Sequence, residues 1–256
     1  MGAESNPETV RGLQERAARA LPATTVKDCD GWWLRASPGC AWWVETVLPH
    51  ADPAPGDLVR RVISAETFCA DRGVTTRFQM TPGACPPRLD AVLAERGYRP
   101  ESPMSLQAAS TTRVRTEALS TGIRVRLDDH PTGRWFDVWD SVHGRAGASA
   151  AEWAMLGRVT GPCAYASAML GGAVVAVGRA VADTGWAGLF GMATLPEARG
   201  LRAARGVLTA LAEWAGDQRA DHLYLQVERA NTPALGLYER AGFSEVAGYH
   251  YRSLGH

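Results

Sequence analysis

The stretch from Trp186 to Arg252 constrains the fold of this chain more than any other part of it. Its apolar residues switch between the two periods of regular structure. GLFGMATLP (188–196) reads as a strand. Glu197-Ala198-Arg199-Gly200-Leu201-Arg202-Ala203-Ala204 reads as a basic turn. A helix follows to about Gly216, then the strand HLYLQVER (222–229). The segment NTPALGLYERA (231–241) is a second helix, headed by Asn231 and stopped at Gly242-Phe243. A last strand closes the series. Strands that alternate with helices in this way call for a sheet with helices packed on it.

Upstream, Asn6-Pro7 predicts a helix start, an N-cap with proline at the first helical position, running to Pro22. Gly31–Ala36 and Cys40–Leu48 read as the arms of a β-hairpin turning at Ser37-Pro38-Gly39. Leu58–Asp71 has helical spacing, Thr75–Met80 is a strand, Pro87–Glu95 a helix and Ser105–Ala108 a strand. The polar, aperiodic stretch Ala109–Gly122 reads as a boundary. Beyond it come a strand at Ile123–Leu127, a helix at Thr132–Val142 with Trp135 and Trp139 at i, i+4, and a short helix at Ala150–Gly157. Ala164–Leu170 and Ala173–Val181 form a hairpin about Gly171-Gly172.

The two halves also resemble each other faintly. Gln79 and Gln226, and the LAERGY and LYERAGF helix ends, lie about 146 residues apart, a period of duplicated domains rather than of a solenoid. The expected organisation is therefore a degenerate first domain over 1–110, a linker over 111–121 and a second domain over 122–256.

Bulk numbers exclude several classes of function. Hydrophobic residues make up 46% of the chain and charged residues 21%, which argues against disorder. Lys+Arg and Asp+Glu both total 27, so no global basic field would recruit nucleic acid or an anionic membrane. The 5 cysteines fit no metal spacing and make a poor disulfide framework, which points to reduced thiols in the cytoplasm and to no metal. The N-terminus has no signal-peptide core, and no apolar run is long enough to span a bilayer.

The basic turn has a specific chemistry. Arg199, Arg202 and Arg205 oppose the dipole at a helix N-terminus, a cost that a bound anion would offset, and the orphan N–H groups there favour the same anion. Arg199 to Ala204 occupies the window in which the GNAT superfamily of N-acyltransferases carries Q/R-x-x-G-x-G/A. Arg199 and Ala204 match it, and Arg202 stands where the first motif glycine is expected. With the element order β-α-α-β-β-β-α-β-α-β, the region from Gly122 resembles a complete GNAT domain. Without that resemblance the pattern supports only an α+β domain with a mixed sheet.

The resemblance implies a tandem arrangement with an incomplete N-terminal GNAT-like half and acetyl-CoA as co-substrate. Arg199, Gly200, Leu201, Arg202, Ala203 and Ala204 would hold the pyrophosphate. Met192, Ala193 and Thr194 would line the pantetheine arm through their backbone, with the Met192 N–H near the thioester oxygen. Asn231 and Ala234 would face the same arm, and Tyr238, two turns beyond Asn231, would protonate the leaving thiolate. The first half has Leu93 at the position matching Tyr238 and no Arg-Gly turn, so no CoA site is expected there.

The implied reaction is acyl transfer to a primary amine of a small molecule or peptide. A non-catalytic CoA-binding module and a transferase using aminoacyl-tRNA stay open as alternatives, as does a homodimer. Glu228, Glu152, His143 and His250 are all candidates for the general base. The pairs Trp32-Trp33 and Trp42-Trp43 should each split between a buried and a freer ring, as strand neighbours do.

Overall fold

The computed structural model describes residues 6–52, 54, 56–117 and 122–254. In chain order the elements are α1 (Pro7–Ala20), β1 (Thr25–Cys29), β2 (Trp32–Ala36), β3 (Val47–Pro49), α2 (Leu58–Ala70), β4 (Arg77–Met80), α3 (Leu89–Glu95), β5 (Arg99–Ser110) and α4 (Thr111–Thr116). The second half adds β6 (Arg124–Asp128), α5 (Gly133–His143), α6 (Ser149–Leu156), β7 (Cys163–Leu170), β8 (Ala173–Asp183), β9 (Trp186–Thr194), α7 (Ala203–Asp217), β10 (His222–Glu228), α8 (Thr232–Arg240) and β11 (Ser244–Ser253). Among the described residues, no helix is long and apolar enough to cross a membrane.

These elements form two compact units that are not contiguous segments. One comprises Met1–Ser105, Glu228–Ala230 and Val246–His256; the other comprises Leu106–Val227 and Asn231–Glu245. β5 is thus shared between them. Most of β11, the last strand of the chain, belongs with the first unit, where it pairs antiparallel with β4 (His250 with Met80, Ser253 with Arg77). The segment expected as a linker starts as α4. Ser110 caps this helix by accepting from the Arg113 N–H at 3.2 Å, and the Thr111 hydroxyl donates to the Ala220 carbonyl at 2.6 Å. The rest of that segment, 118–121, lies outside the described residues.

In the first unit the strands run β1-β2-β3-β4-β11, and α2 and α3 cover a core that includes Trp32, Leu34, Val62, Phe68, Phe78, Leu89 and Leu93. The expected hairpin about Ser37-Pro38-Gly39 is only partly a hairpin. β2 and β3 do pair antiparallel, but the second arm shrinks to Val47–Pro49 behind a 3-10 turn at Trp42–Val44. Aromatic packing decides this. The Trp42 ring stands edge-on to Trp43 at 5.7 Å and to Tyr251 at 4.8 Å, under the Arg77 guanidinium, so its backbone leaves the alternating path of a strand. β1 pairs with β2 about Asp30-Gly31, and its sequence TVKDC is too polar to announce a strand.

In the second unit the strands run β10-β9-β8-β7-β6, antiparallel except for β9 with β10. Alternation sorts the side chains of β7. Ala164, Ala166 and Ala168 join Ala176, Ala180 and the α7 residues Val207, Leu208, Leu211 and Ala215 in one core. Alanines on that face let the helix backbone come close. Tyr165 and Ser167 point the other way, where Trp135 of α5 stands edge-on to Tyr165 at 5.2 Å.

Two stability tests follow. Gly188 is buried in β9, and a methyl group there would lie 2.6 Å from both Phe190 Cε2 and the Tyr224 hydroxyl. Both rings are rigid, so Gly188→Ala should cost about 1–3 kcal/mol in urea unfolding. In the first unit Arg252 grips both Asp90 oxygens, at 2.7 and 2.8 Å, and holds the Asp90 carboxyl below its ordinary 3.8. A depressed folded value means that the pair's stabilisation is present above pH 3.8 and is lost as the pH falls through the lower folded value. The stability gap between wild type and Asp90→Asn should therefore be widest at neutral pH and close in acid.

Candidate functional site

β8 and β9 are out of step at one point. Val177 pairs with Ala193 and Arg179 with Phe190, so Gly191 and Met192 together face the single residue Gly178. This is a β-bulge, which bends its strand and re-aims the residues beyond it. Gly191 takes φ +61°, and a side chain there would press within 3.2 Å of the Trp139 indole. α5 holds the bulge from above, and the Trp135 Nε1–H donates to the Gly178 carbonyl at 3.1 Å.

Beside the bulge, β9 also loses a neighbour. Its parallel register with β10 runs from Trp186–His222 to Leu189–Leu225, yet β9 continues to Thr194 and β10 to Glu228. Beyond Leu189 that side of β9 no longer has β10 in register. Met192, Ala193 and Thr194 lie on this parted stretch, still tied to β8 on the other side. An exposed strand edge of this kind is where an extended amide-bearing ligand pairs.

The stretch leads into the basic turn. A single 3-10 turn over Pro196–Ala198 precedes Arg199, then Gly200 at φ +78° and Arg202 at φ +63°, and α7 begins at Ala203. Arg202 adopts the left-handed conformation that suits glycine, so the turn keeps a glycine-like backbone path with an arginine in it. Its side chain is exposed, as are those of Arg199 and Leu201. Such a conformation costs a non-glycine residue about 1–2 kcal/mol and is stored preferentially at ligand sites. Among the described residues the N–H groups of Gly200, Arg202, Ala203, Ala204 and Arg205 donate to nothing. The Arg205 guanidinium donates to the Glu117 carbonyl at 2.6 Å. The result is a concentration of unused donors at the positive end of a 15-residue helix.

α8 contributes from the same unit. Asn231 caps it, accepting from the Ala234 N–H at 3.2 Å. Tyr238 lies two turns further along, 6% exposed, its ring edge-on to Phe243 at 5.8 Å. Burial pushes its hydroxyl up to about 12, so it stays protonated at neutral pH and can act as a donor. That hydroxyl makes no hydrogen bond among the described residues.

The four candidate bases separate. Glu152 on α6 is buried. His250 contacts Asp90 in the first unit at 3.1 Å, and Glu228 also belongs to that unit. His143, the last residue of α5, is the one the structure brings to the bulge: its Nε2 donates to the Met192 carbonyl at 3.0 Å. The sequence reading missed a polar layer on the α5 face. Arg179 is fully buried on β8, 4.9 Å from the Phe190 ring, and desolvation lowers its pKa. The buried hydroxyls of Tyr165 and Ser167 lie on the same face, without hydrogen-bond partners among the described residues. The available signal was Arg179 itself, a charge inside the apolar run AVVAVGRAVAD.

Comparison with known proteins agrees on the family. A family model described as "Probable histone acetyltransferase Rv0428c C-terminal" matches residues 8–252. The chain is 26% identical over 247 residues to "Uncharacterized N-acetyltransferase YobR" of Bacillus subtilis (strain 168), covering 96% of this chain and 98% of that protein. A GCN5-related N-acetyltransferase from Kribbella flavida has the same fold, with a TM-score of 0.73 at 14% identity, covering 98% of this chain and 96% of its own. A tandem GNAT protein from the clavulanic acid biosynthesis pathway gives a TM-score of 0.67 at 13% identity, covering 100% and 90%.

The left-handed Arg202 gives a direct test of the turn. Arg202→Gly should raise stability by about 1 kcal/mol, through relief of the side-chain clash, in a denaturant titration without ligand.

Proposed function

The chain belongs to the Rv0428c C-terminal acetyltransferase family of the GNAT superfamily of N-acetyltransferases, and on that premise we propose how its second unit works. Acetyl-CoA is the donor. Its pyrophosphate lies against the N–H groups of Gly200 and Arg202–Ala204, with Arg199 and Arg202 adding charge. The pantetheine arm runs along the parted edge of β9 at Met192, Ala193 and Thr194, with Asn231 and Ala234 on its other side. The thioester sits at the bulge, where the Met192 N–H faces the carbonyl oxygen. A primary amine attacks that carbon directly, the C–S bond breaks, and Tyr238 gives its proton to the thiolate.

One observation carries this reading: the strand edge freed beyond Leu189 leads straight into a turn where, among the described residues, the N–H groups of Gly200, Arg202, Ala203 and Ala204 donate to nothing. A pyrophosphate joined to an amide-bearing arm is the ligand shape that uses both. The first unit has no counterpart. Leu93 is buried in its core where Tyr238 stands in the second, and no Arg-Gly turn precedes its helix α2. The CoA site therefore belongs to the second unit alone. Amino acids, polyamines and peptide or protein amines all fit the chemistry of the acceptor.

Tyr238→Phe tests the reaction. The hydroxyl makes no hydrogen bond among the described residues, so the variant should fold with near wild-type stability and bind acetyl-CoA as before. Turnover, followed as acetylated amine by mass spectrometry, should fall about 10²–10⁴-fold, the usual contribution of an acid catalyst. An unchanged rate removes Tyr238 from the mechanism.

A further inference from the structure

We propose that His143 is the general base of this acyl transfer, an assignment that rests on the reading of the second unit given above. Its Nε2 lies 3.0 Å from the carbonyl oxygen of Met192, one of the two bulge residues of β9. A carbonyl only accepts, so Nε2 carries the proton, and in the neutral ring the lone pair is on Nδ1. Nδ1 makes no hydrogen bond among the described residues. The ring also packs on Trp139, centroids 5.9 Å apart, and Trp139 in turn meets Gly191 of the bulge. Tautomer and orientation are thus both fixed by the feature that places the thioester. The ring is exposed, so a proton taken up at Nδ1 has a path to water.

The surroundings leave this role to His143. From Phe190 to Thr194, β9 carries no acid or base. On α5 the Asp140 carboxylate is engaged, receiving the Ser149 hydroxyl on both oxygens at 3.0 Å. Arg145 follows in the exposed loop, and Glu152 of α6 and Arg179 of β8 are buried below α5. The proton balance closes. Nδ1 takes one proton from the amine as the N–C bond forms, the C–S bond breaks, and the thiolate takes one from Tyr238. His143 then loses its proton to water, and Tyr238 regains one.

The test uses the full chain with acetyl-CoA and follows release of the CoA thiol. The amines are spermidine, the common L-amino acids and a peptide with a free N-terminus, and the best of them is carried through a pH series. His143→Gln keeps an amide donor for the Met192 carbonyl but cannot titrate. The proposal expects an acid limb in the wild-type kcat/KM profile that the amine's own ionisation does not account for. In His143→Gln that limb should vanish and the neutral-pH rate should fall about 10²–10⁴-fold. Acetyl-CoA affinity should be unchanged, and the loss should shrink at high pH, where hydroxide can take the proton that Nδ1 otherwise accepts. Added imidazole should restore part of the rate to His143→Ala, which a merely structural histidine would not allow. Retention of the acid limb and of most of the rate in His143→Gln overturns the assignment and leaves the reading of the site intact. A wild type that releases no thiol with any of these amines overturns amine acylation itself, and the role of His143 with it.

Discussion

Gly191 and Met192 of β9 share one partner on β8, and the path of the strand beyond them depends on that mismatch. A regular β9 would keep its register with β10 to the end and offer no free edge. The bulge costs a ladder pairing and needs a residue at φ +61°, and only glycine accepts that cheaply beside the indole of Trp139. α5 offsets the irregularity with packing: Trp139 covers Gly191, Trp135 donates to Gly178, and His143 donates to Met192. Three contacts from one helix thus fix the place where the strand turns away.

The turn before α7 carries a second irregularity. Arg202 stands in a left-handed conformation with its side chain in solvent, and among the described residues its own N–H and those of Gly200, Ala203 and Ala204 are unused. An arginine at this point costs backbone energy that a glycine would not. In exchange it places a guanidinium beside unused N–H donors, a combination that suits an anion. Strain and unused donors coincide at one helix end, the pattern expected where a protein holds an anionic ligand.

Much of this could be read from the residues because it is local. The period of α7, the Asn231 cap of α8 and the apolar run of β9 each carry their own signal, and the elements form close to where those signals lie. What escaped the reading is non-local or compensated by packing. β1 is a polar strand, visible only through its pairing with β2. The 3-10 turn at Trp42 arises from its contact with Tyr251, more than two hundred residues away in the chain. The composition of the two units could not be read either, because the pairing of β11 with β4 leaves no trace in either segment alone. At the site, the turn before α7 and the helix that carries Tyr238 were legible as local elements. The contact of His143 with Met192 and the buried layer around Arg179 were not, since each joins segments with no shared pattern.

The central claim is that the turn from Arg199 to Ala204 holds the pyrophosphate of an acyl-CoA. The most direct measurement is calorimetric titration of the purified wild type and of Arg199→Ala with acetyl-CoA at low and moderate salt. The account predicts micromolar binding by the wild type. It also predicts at least a tenfold loss in the variant, or about 1.4 kcal/mol, and a loss that narrows as salt screens the charge. Wild-type protein that does not bind acetyl-CoA, or a variant that binds equally well at every salt concentration, would contradict it.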